Sequence, residues 1–521
     1  MRAVNSDIQT IDLSYIYAGR DTSALRQVSL TCRASEITLI VGRSGSGKTT
    51  LARCINGLIP HSYKGGTLHG EVWCANEPLK HLSLAQLARR IGTVMQDPDR
   101  QIVATRVFYD IAFGPENLGL PRDEIRARVH EAAEQLHITH LLDRDIHTLS
   151  GGELQKVVIA GALAMRPRAL LLDEPLASLD PPSARDALAV FRRLADSGLT
   201  VIMIEHRLRE ALGVRPEHAI ALNGGEVAFD GAAAGLLAWL DAKRNGHPVN
   251  RAASPPRRDG GDVLLAFRNV TFAYPGARQA QLRGVSLDVR AGDVIALIGP
   301  NGAGKSTLCK MAVGLIRPGA GQVLVAGQDA GRATTAQLVR TVGYVFQNPA
   351  AMLFANTLGE ELAFGPRNLG LADAQIVTRI EQALAMVGLD HLPLDQSPFS
   401  LSFGQQKRVA MAGVLAMQPR VLILDEPTAG LDDGTAEELL DQLLSATARP
   451  EAIVMVTHDL MLARRFANRV VLMVAGQVIA DGAPDDVLTS AEVMRQAGFD
   501  PLPALTDDFA TATTDVPHSA S

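Results

Sequence analysis

The sequence predicts an α/β protein of two tandem domains, each a mostly parallel sheet with helices, and three observations predict it. A glycine-rich loop occurs twice, at Gly42–Thr49 and at Gly299–Ser306. Polar residues of several types recur at matched spacing in the two halves of the 521-residue chain. Short apolar runs alternate with helical patterns, and such runs between turn signals read as strands buried on both faces.

The loops come first. Gly42-Arg-Ser44-Gly45-Ser-Gly47-Lys48-Thr49 follows the apolar run Thr38–Val41, and Gly299-Pro-Asn301-Gly302-Ala-Gly304-Lys305-Ser306 follows Val294–Ile298. Both fit G-x-x-x-x-G-K-[ST]. Backbone N–H groups of such a turn and of the following helix point at one spot, where an anion offsets the helix dipole. Lys48 and Lys305 reach β/γ-phosphates, and the hydroxyls of Thr49 and Ser306 ligate Mg²⁺. The expected nucleotide contacts are therefore Gly42, Ser44, Gly45, Gly47, Lys48, Thr49 and Thr50 in one half. In the other they are Gly299, Asn301, Gly302, Gly304, Lys305, Ser306 and Thr307. The ligands expected are ATP and Mg²⁺, at two places.

The repeat extends far beyond the loops. Lys48 and Lys305 stand 257 residues apart, as do Tyr17 and Tyr274. Gln96 and Gln347, and the Gly114-Pro115 and Gly365-Pro366 pairs, stand 251 apart. Ser150 and Ser402, Asp173 and Asp425, and His206 and His458 stand 252 apart. A six-residue insertion within Pro60–Gly70 and one single-residue slip account for every offset. Apolar periodicity alone would not preserve Lys, Gln, Ser, Asp, Glu and His at such spacing, so a whole domain is duplicated.

Length and punctuation set the boundaries. Residues 1–245 and 263–500 read as the two domains, 246–262 as a Pro, Gly and Arg-rich linker, and 501–521 as a disordered tail. The longest unbroken apolar stretches, such as Gly231–Leu240, reach about ten residues, half of what a membrane-spanning helix needs. The N-terminus shows no signal-peptide pattern. Four cysteines without paired spacing suit a reducing compartment, and a net charge of −6 gives no basic excess for nucleic acid.

Hydrolytic groups stand at the ends of apolar runs. Leu170-Leu-Leu-Asp173-Glu174-Pro175 and Leu422-Ile-Leu-Asp425-Glu426-Pro427 place two adjacent carboxylates just past a strand. Successive side chains diverge there, so Asp173 and Asp425 are assigned to the metal, and Glu174 and Glu426 to polarising the attacking water. In the second half Val342–Phe346, Val421–Leu424 and Ile453–Val456 read as strands of the parallel sheet. Val201–Ile204 and Ile453–Val456 end near His206 and His458, either of which can hydrogen-bond a γ-phosphate. Ser150 and Ser402, in Leu149–Glu153 and Leu401–Gln405, read as helix N-caps.

Taken together, these motifs resemble the ATP-binding-cassette family over nearly the whole chain. The resemblance implies two tandem P-loop NTPase domains, each with a helical subdomain. It implies that Gln96 and Gln347 join the metal and water, and that Tyr17 and Tyr274, each 25 residues before its loop, stack on adenine. It also implies that Ser150 and Gly152, and Ser402 and Gly404, close on the nucleotide held by the opposite cassette. Ser178-Leu-Asp180 and Gly430-Leu-Asp432 match the family's D-loops.

Within that family, Asp97-Pro-Asp99-Arg-Gln101-Ile and the repeated Ala112-Phe-Gly-Pro-Glu-Asn-Leu-Gly-Leu120 and Ala363-Phe-Gly-Pro-Arg-Asn-Leu-Gly-Leu371 are similar to the energy-coupling-factor importers. The partners implied are a transmembrane coupling protein and a small membrane-embedded substrate-binding protein. The expected function is ATP-driven import of a vitamin, vitamin precursor or metal ion. The expected location is the cytoplasmic face of the membrane, with one chain supplying both cassettes. The alternatives are a fused-cassette ATPase of a sugar-type importer and a soluble twin-cassette translation factor.

Three departures carry further expectations. Pro349–Phe354 lacks the Asp and Gln of the first-half segment, which predicts unequal docking. Phe403 stands where the first half has Gly151, and restriction of a turn needing φ > 0 predicts weaker closure at the Lys48 site. His130, His137, His140 and His147 are spaced 7, 3 and 7, but with no completing ligand they read as solvated helix residues.

Overall fold

The computed structural model describes residues 6–20, 22–43, 45–96, 98–177, 179–244, 260–276 and 279–503. Ser44, Asp97, Ser178, most of the expected linker and the tail from residue 504 lie outside them. Two compact units result, 1–251 with 428–439 and 252–427 with 440–521, so one short stretch groups across the expected boundary.

In the first unit, six strands run in the order Glu226–Ala232, His218–Asn223, Ile37–Gly42, Thr200–Ile204, Ala169–Asp173 and Ile91–Val94. The last five are parallel, and Glu226–Ala232 closes the edge as an antiparallel hairpin. An antiparallel sheet orders Leu25–Arg33, Ser6–Ile16, Thr67–Cys74 and Glu77–Pro78. The second unit repeats both sheets. Its mainly parallel one runs Val342–Val345, Val421–Asp425, Ala452–Val456, Val294–Ile298, Arg469–Val474 and Gln477–Gly482.

The strands are apolar throughout because the parallel sheet has a core on each side. Leu170 and Leu172 enter a core with the helices, whereas Ala169 and Leu171 enter another with Leu51 and Ile55 of the phosphate-loop helix. A buried Leu contributes about 1.5–3 kcal/mol, so register is strongly fixed. The same parity sends Asp173 toward the phosphate-loop side. In the second unit Val421 and Ile423 share a core with Leu308 and Cys309, and Asp425 follows them.

Each unit carries a helical layer, Val107–Asn117, Arg122–Gln135 and Gly151–Ala164 in the first and Leu358–Asn368, Asp373–Met386 and Phe403–Leu415 in the second. The six-residue insertion emerges as a short helix, Leu58–His61, and the turn after it; the second unit passes from Lys305–Ala312 to Ala320–Val325 without one. The halves rejoin at Gly70 and Gly321, with φ of 80° and 79°. There a Cβ would stand 2.4 Å and 2.3 Å from strand carbonyl oxygens.

Candidate nucleotide site

The phosphate loops depend on left-handed glycines. Gly47 and Gly304 cap the helices Lys48–Ile55 and Lys305–Ala312 at φ 101° and 99°. A Cβ on Gly47 would lie 2.6 Å from the Ala24 carbonyl oxygen, and one on Gly304 2.8 Å from that of Gln281. Lys48 Nζ donates to the Gly42 and Arg43 carbonyls at 2.6 and 3.0 Å. Lys305 Nζ does the same with Gly299 and Pro300, at 2.6 and 3.0 Å. Burial pulls the Lys48 ammonium below its ordinary value, against the pull of Glu174.

Beside the loops stand the carboxylates. Asp173 is paired in register with Ile204, so the strand ends of Ala169–Asp173 and Thr200–Ile204 lie together. Glu174 and Glu426 adopt φ of 52° and 50°, a conformation uncommon outside glycine. Their N–H groups donate to Ile204 and Val456 carbonyls, both at 2.9 Å. The backbone thus leaves the strand sharply, and the two carboxylates of each pair separate.

In the first unit Gln96 Nε2 donates to Glu174 Oε2 at 2.6 Å, and His206 Nδ1 lies 3.5 Å from the same oxygen. In the second, His458 Nδ1 lies 3.0 Å from Glu426 Oε1, while exposed Gln347 makes no hydrogen bond among the described residues. Burial would raise the Glu174 carboxyl, but His206 and Lys48 outweigh it and hold it below the ordinary glutamate range. Glu426 is lowered likewise, by His458, Lys305 and Lys407 against burial.

Sequence reasoning missed the groups behind this row. Glu205 is fully buried and accepts N–H bonds from Leu176, His206 and Arg207 at 3.1, 2.9 and 3.1 Å. Its counterpart is Thr457. Lys407 is fully buried and donates to the Glu426 carbonyl; burial pulls its ammonium down to about 8. Its counterpart is Gln155, whose buried Nε2 has no partner among the described residues. Tyr344 donates to Asp425 Oδ2 at 2.7 Å, and Ser306 bonds the same carboxylate. The counterpart of Tyr344 is Thr93.

The oxygens fit a hard divalent cation. Asp173 Oδ1 is buried without a hydrogen-bond partner among the described residues, and burial followed by repulsion from Glu174 pushes the carboxyl up to about 7. Asp425 is raised by burial as well. Carboxylate and hydroxyl oxygens at a phosphate loop suit Mg²⁺ rather than a soft metal.

Ser150 and Ser402 are N-caps completed by capping boxes with Glu153 and Gln405. This corrects the expectation for Phe403. It is the first helical residue and takes no positive φ, and neither does Gly151, so the phenylalanine meets no backbone restriction. Gly152 is half-buried and Gly404 buried. The aromatics lie beside the loop helices, with Tyr17 Oη 3.1 Å from Thr50 Oγ1 and Tyr274 Oη 3.3 Å from Thr307 Oγ1. The four spaced histidines do not share a helix. Only His130 lies on Arg122–Gln135, all four are exposed, and no cluster of three or more His, Cys, Asp or Glu side chains placed to hold a metal ion occurs among the described residues.

The two segments before the AFGP helices also prove more alike than their sequences. Gln101 accepts the Met95 N–H at 2.6 Å, and Met352 Sδ accepts the Phe346 N–H at 3.3 Å in the same place. Asp110 accepts N–H bonds from Val103 and Ala104 at 2.8 and 3.1 Å, as Glu361 does from Phe354 and Ala355 at 2.9 and 2.8 Å. Gln101 is therefore engaged within its own loop. Each loop and the helix after it present apolar side chains at matched positions: Val103 and Phe113 are 56% and 48% exposed, Phe354 and Phe364 58% and 50%.

Phosphate loops feeding carboxylate-ended parallel strands, with a capped helix in a separate helical layer, define a P-loop ATPase. The family model described as ABC transporter matches residues 25–177 and 282–429, and the chain belongs to that family. A provisionally named ABC transporter ATP-binding protein of Methanosarcina mazei is 34% identical, with 97% of this chain and 94% of that protein aligned. One from Clostridium perfringens is 33% identical, over 94% and 93%. Among solved structures, cbiO1 of Clostridium perfringens, part of the ABC transporter complex cbiONQ, is 36% identical with a TM-score of 0.41. It covers 45% of this chain and 94% of its own. The chain is thus an ABC ATPase with two cassettes, hydrolysing ATP in coupling to transport. Among the described residues no helix is long and apolar enough to cross a membrane, and ABC ATPases work with membrane subunits.

Proposed function

We propose that this chain is the ATPase of an energy-coupling-factor-type importer and energises uptake of a vitamin, vitamin precursor or metal ion. Its partners are a transmembrane coupling protein and a small membrane-embedded substrate-binding protein, at the cytoplasmic face of the membrane. The observation that carries this reading is the repeated exposure of Phe113 and Phe364 in the AFGPxNLG segments. Exposed apolar side chains at equivalent places in both units suit a partner that engages both.

In each unit the loop N–H groups and Lys48 or Lys305 hold the triphosphate. Thr49 with Asp173, and Ser306 with Asp425, would hold Mg²⁺, with Gln96 and Gln347 beside them. When bound, that ion would supply charge neutralisation to the triphosphate. Glu174 and Glu426 accept a proton from the attacking water, and both are kept ionised for that role by their histidines and lysines. His206 and His458 face the same carboxylates and position them. Ser150 and Gly152, and Ser402 and Gly404, meet the nucleotide of the opposite cassette. ATP therefore favours the closed arrangement by its differential affinity, and hydrolysis releases it.

Fractionation of cells tests the reading. The wild-type chain sediments with membranes when its membrane partners are produced and moves to the soluble fraction when they are deleted. Phe113→Asp with Phe364→Asp releases it with the partners present. Retention on membranes without those partners defeats the proposal.

A further inference from the structure

The six-residue insertion sets one residue of the first unit against the aromatic expected to carry the base. Arg53, on the helix Lys48–Ile55, donates from Nη1 to Tyr17 Oη at 3.1 Å. Its guanidinium lies 4.6 Å from the centre of the Tyr63 ring, and Tyr63 stands in the insertion. The Tyr17 and Tyr63 rings are 6.4 Å apart and inclined at 79°. Tyr15 also packs edge-to-face with Tyr17, with ring centres 4.8 Å apart at 82°. Tyr63 is 37% exposed, and its hydroxyl makes no hydrogen bond among the described residues.

The second unit has half of this arrangement. Phe272 and Tyr274 repeat the edge-to-face pair at 4.9 Å and 82°. Lys310 stands in place of Arg53, and Gly314–Gly321 is too short to hold a counterpart of Tyr63. A lysine ammonium is a point charge, whereas a planar guanidinium can both stack on a ring and donate several hydrogen bonds.

We propose that Arg53 and Tyr63 form a side wall of a purine subsite in the first unit, beside the Tyr17 ring and roughly perpendicular to it, which the second unit lacks. This rests on the reading of Tyr17 as the base-stacking residue. A purine stacked on Tyr17 presents its edge to that wall, with C–H groups toward an aromatic ring and ring-nitrogen acceptors toward a guanidinium, and the exposed hydroxyl of Tyr63 adds a polar contact. The insertion would then make the first unit the tighter binder of the base, independently of the phosphate loop. Phosphate contacts alone are matched between the units.

The test uses the full chain carrying Lys305→Ala, which removes triphosphate binding at the second loop. Binding of Mg-ATP and of Mg-tripolyphosphate, which has no base, is measured by calorimetry. Tyr63→Ala is expected to weaken ATP about three- to tenfold and to leave tripolyphosphate unchanged. Arg53→Lys acts in the same direction, and Tyr63→Phe keeps most of the affinity. Unchanged ATP affinity in Tyr63→Ala overturns the inference, and so does equal weakening of both ligands, which marks a packing role. Tripolyphosphate binding without any preference for ATP in the Lys305→Ala background overturns the reading of Tyr17 itself, and the subsite with it.

Discussion

The two carboxylate centres share backbone and motif but differ in what surrounds them. In the first unit Asp173 has a buried oxygen without a partner among the described residues, and the further buried acid Glu205 sits behind His206. In the second, Tyr344 and Ser306 donate to Asp425, and the buried ammonium of Lys407 holds the Glu426 carbonyl. The first centre has an acid more and the second a base more, although both keep the same Lys, Asp, Glu and His. Duplication preserved the reacting groups and let the neighbours set their charge balance. A cation, or protonation, therefore matters more at the first centre.

The largest effect expected is on turnover. Glu174→Gln with Glu426→Gln should lower ATP hydrolysis by about 10²–10⁴-fold while ATP binding persists. The single variants sharpen the comparison. Glu174→Gln, which leaves the second centre working, should retain the larger share of steady-state ATPase, because Tyr344, Ser306 and Lys407 pre-set that centre. Equal residual rates would break the contrast.

Stability of the nucleotide-free protein should respond next. The Asp173 carboxyl rises from an ordinary 3.8 to about 7 on folding, so its burial favours the protonated form. Its stabilising contribution is full below the ordinary value and is lost as pH rises through about 7. Asp173→Asn should therefore raise stability by about 2–4 kcal/mol at pH 8, with the gain vanishing below about pH 4. Thermal unfolding across that range, without Mg²⁺, measures it. A gain that persists at low pH would assign the effect to packing.

The smallest effect concerns Tyr344. Tyr344→Phe removes one donor to Asp425 and should cost about 1 kcal/mol of stability, with a few-fold change in Mg²⁺ affinity of the second site. Thr93→Tyr in the first unit would sharpen this if it moved Asp173 in the opposite sense.

Much of the fold was legible because it depends on local pattern. Apolar runs gave the parallel strands to within a residue or two, and Val342–Phe346 overran by one because Phe346 already belongs to the next loop. Offset arithmetic located the insertion, since a duplication preserves spacing. The partners behind the carboxylates were not legible, because they depend on pairing across long separations. Tyr344 meets Asp425 through the register of Val342–Val345 on Val421–Asp425. Lys407 reaches the Glu426 carbonyl from the helix Phe403–Leu415, 19 residues earlier in the chain. Nothing in Asp-Glu-Pro announced a left-handed glutamate. Phe403 was misjudged for a local reason: Ser402 as an N-cap already places the next residue in the helix, where φ is negative. The contrast between Gln101 and Met352 is smaller in the structure than in the sequence, since a thioether and an amide accept the same N–H.

The left-handed glutamates carry one more consequence. Each is tethered by its N–H to the end of the neighbouring strand, Thr200–Ile204 or Ala452–Val456. The sheet therefore acts as a gunsight, and the aim of the carboxylate is a property of strand alignment rather than of its own side-chain rotamer. Wear in that alignment, from a cavity deep beneath Val201 or Val454, would register as lost aim before it registered as lost fold.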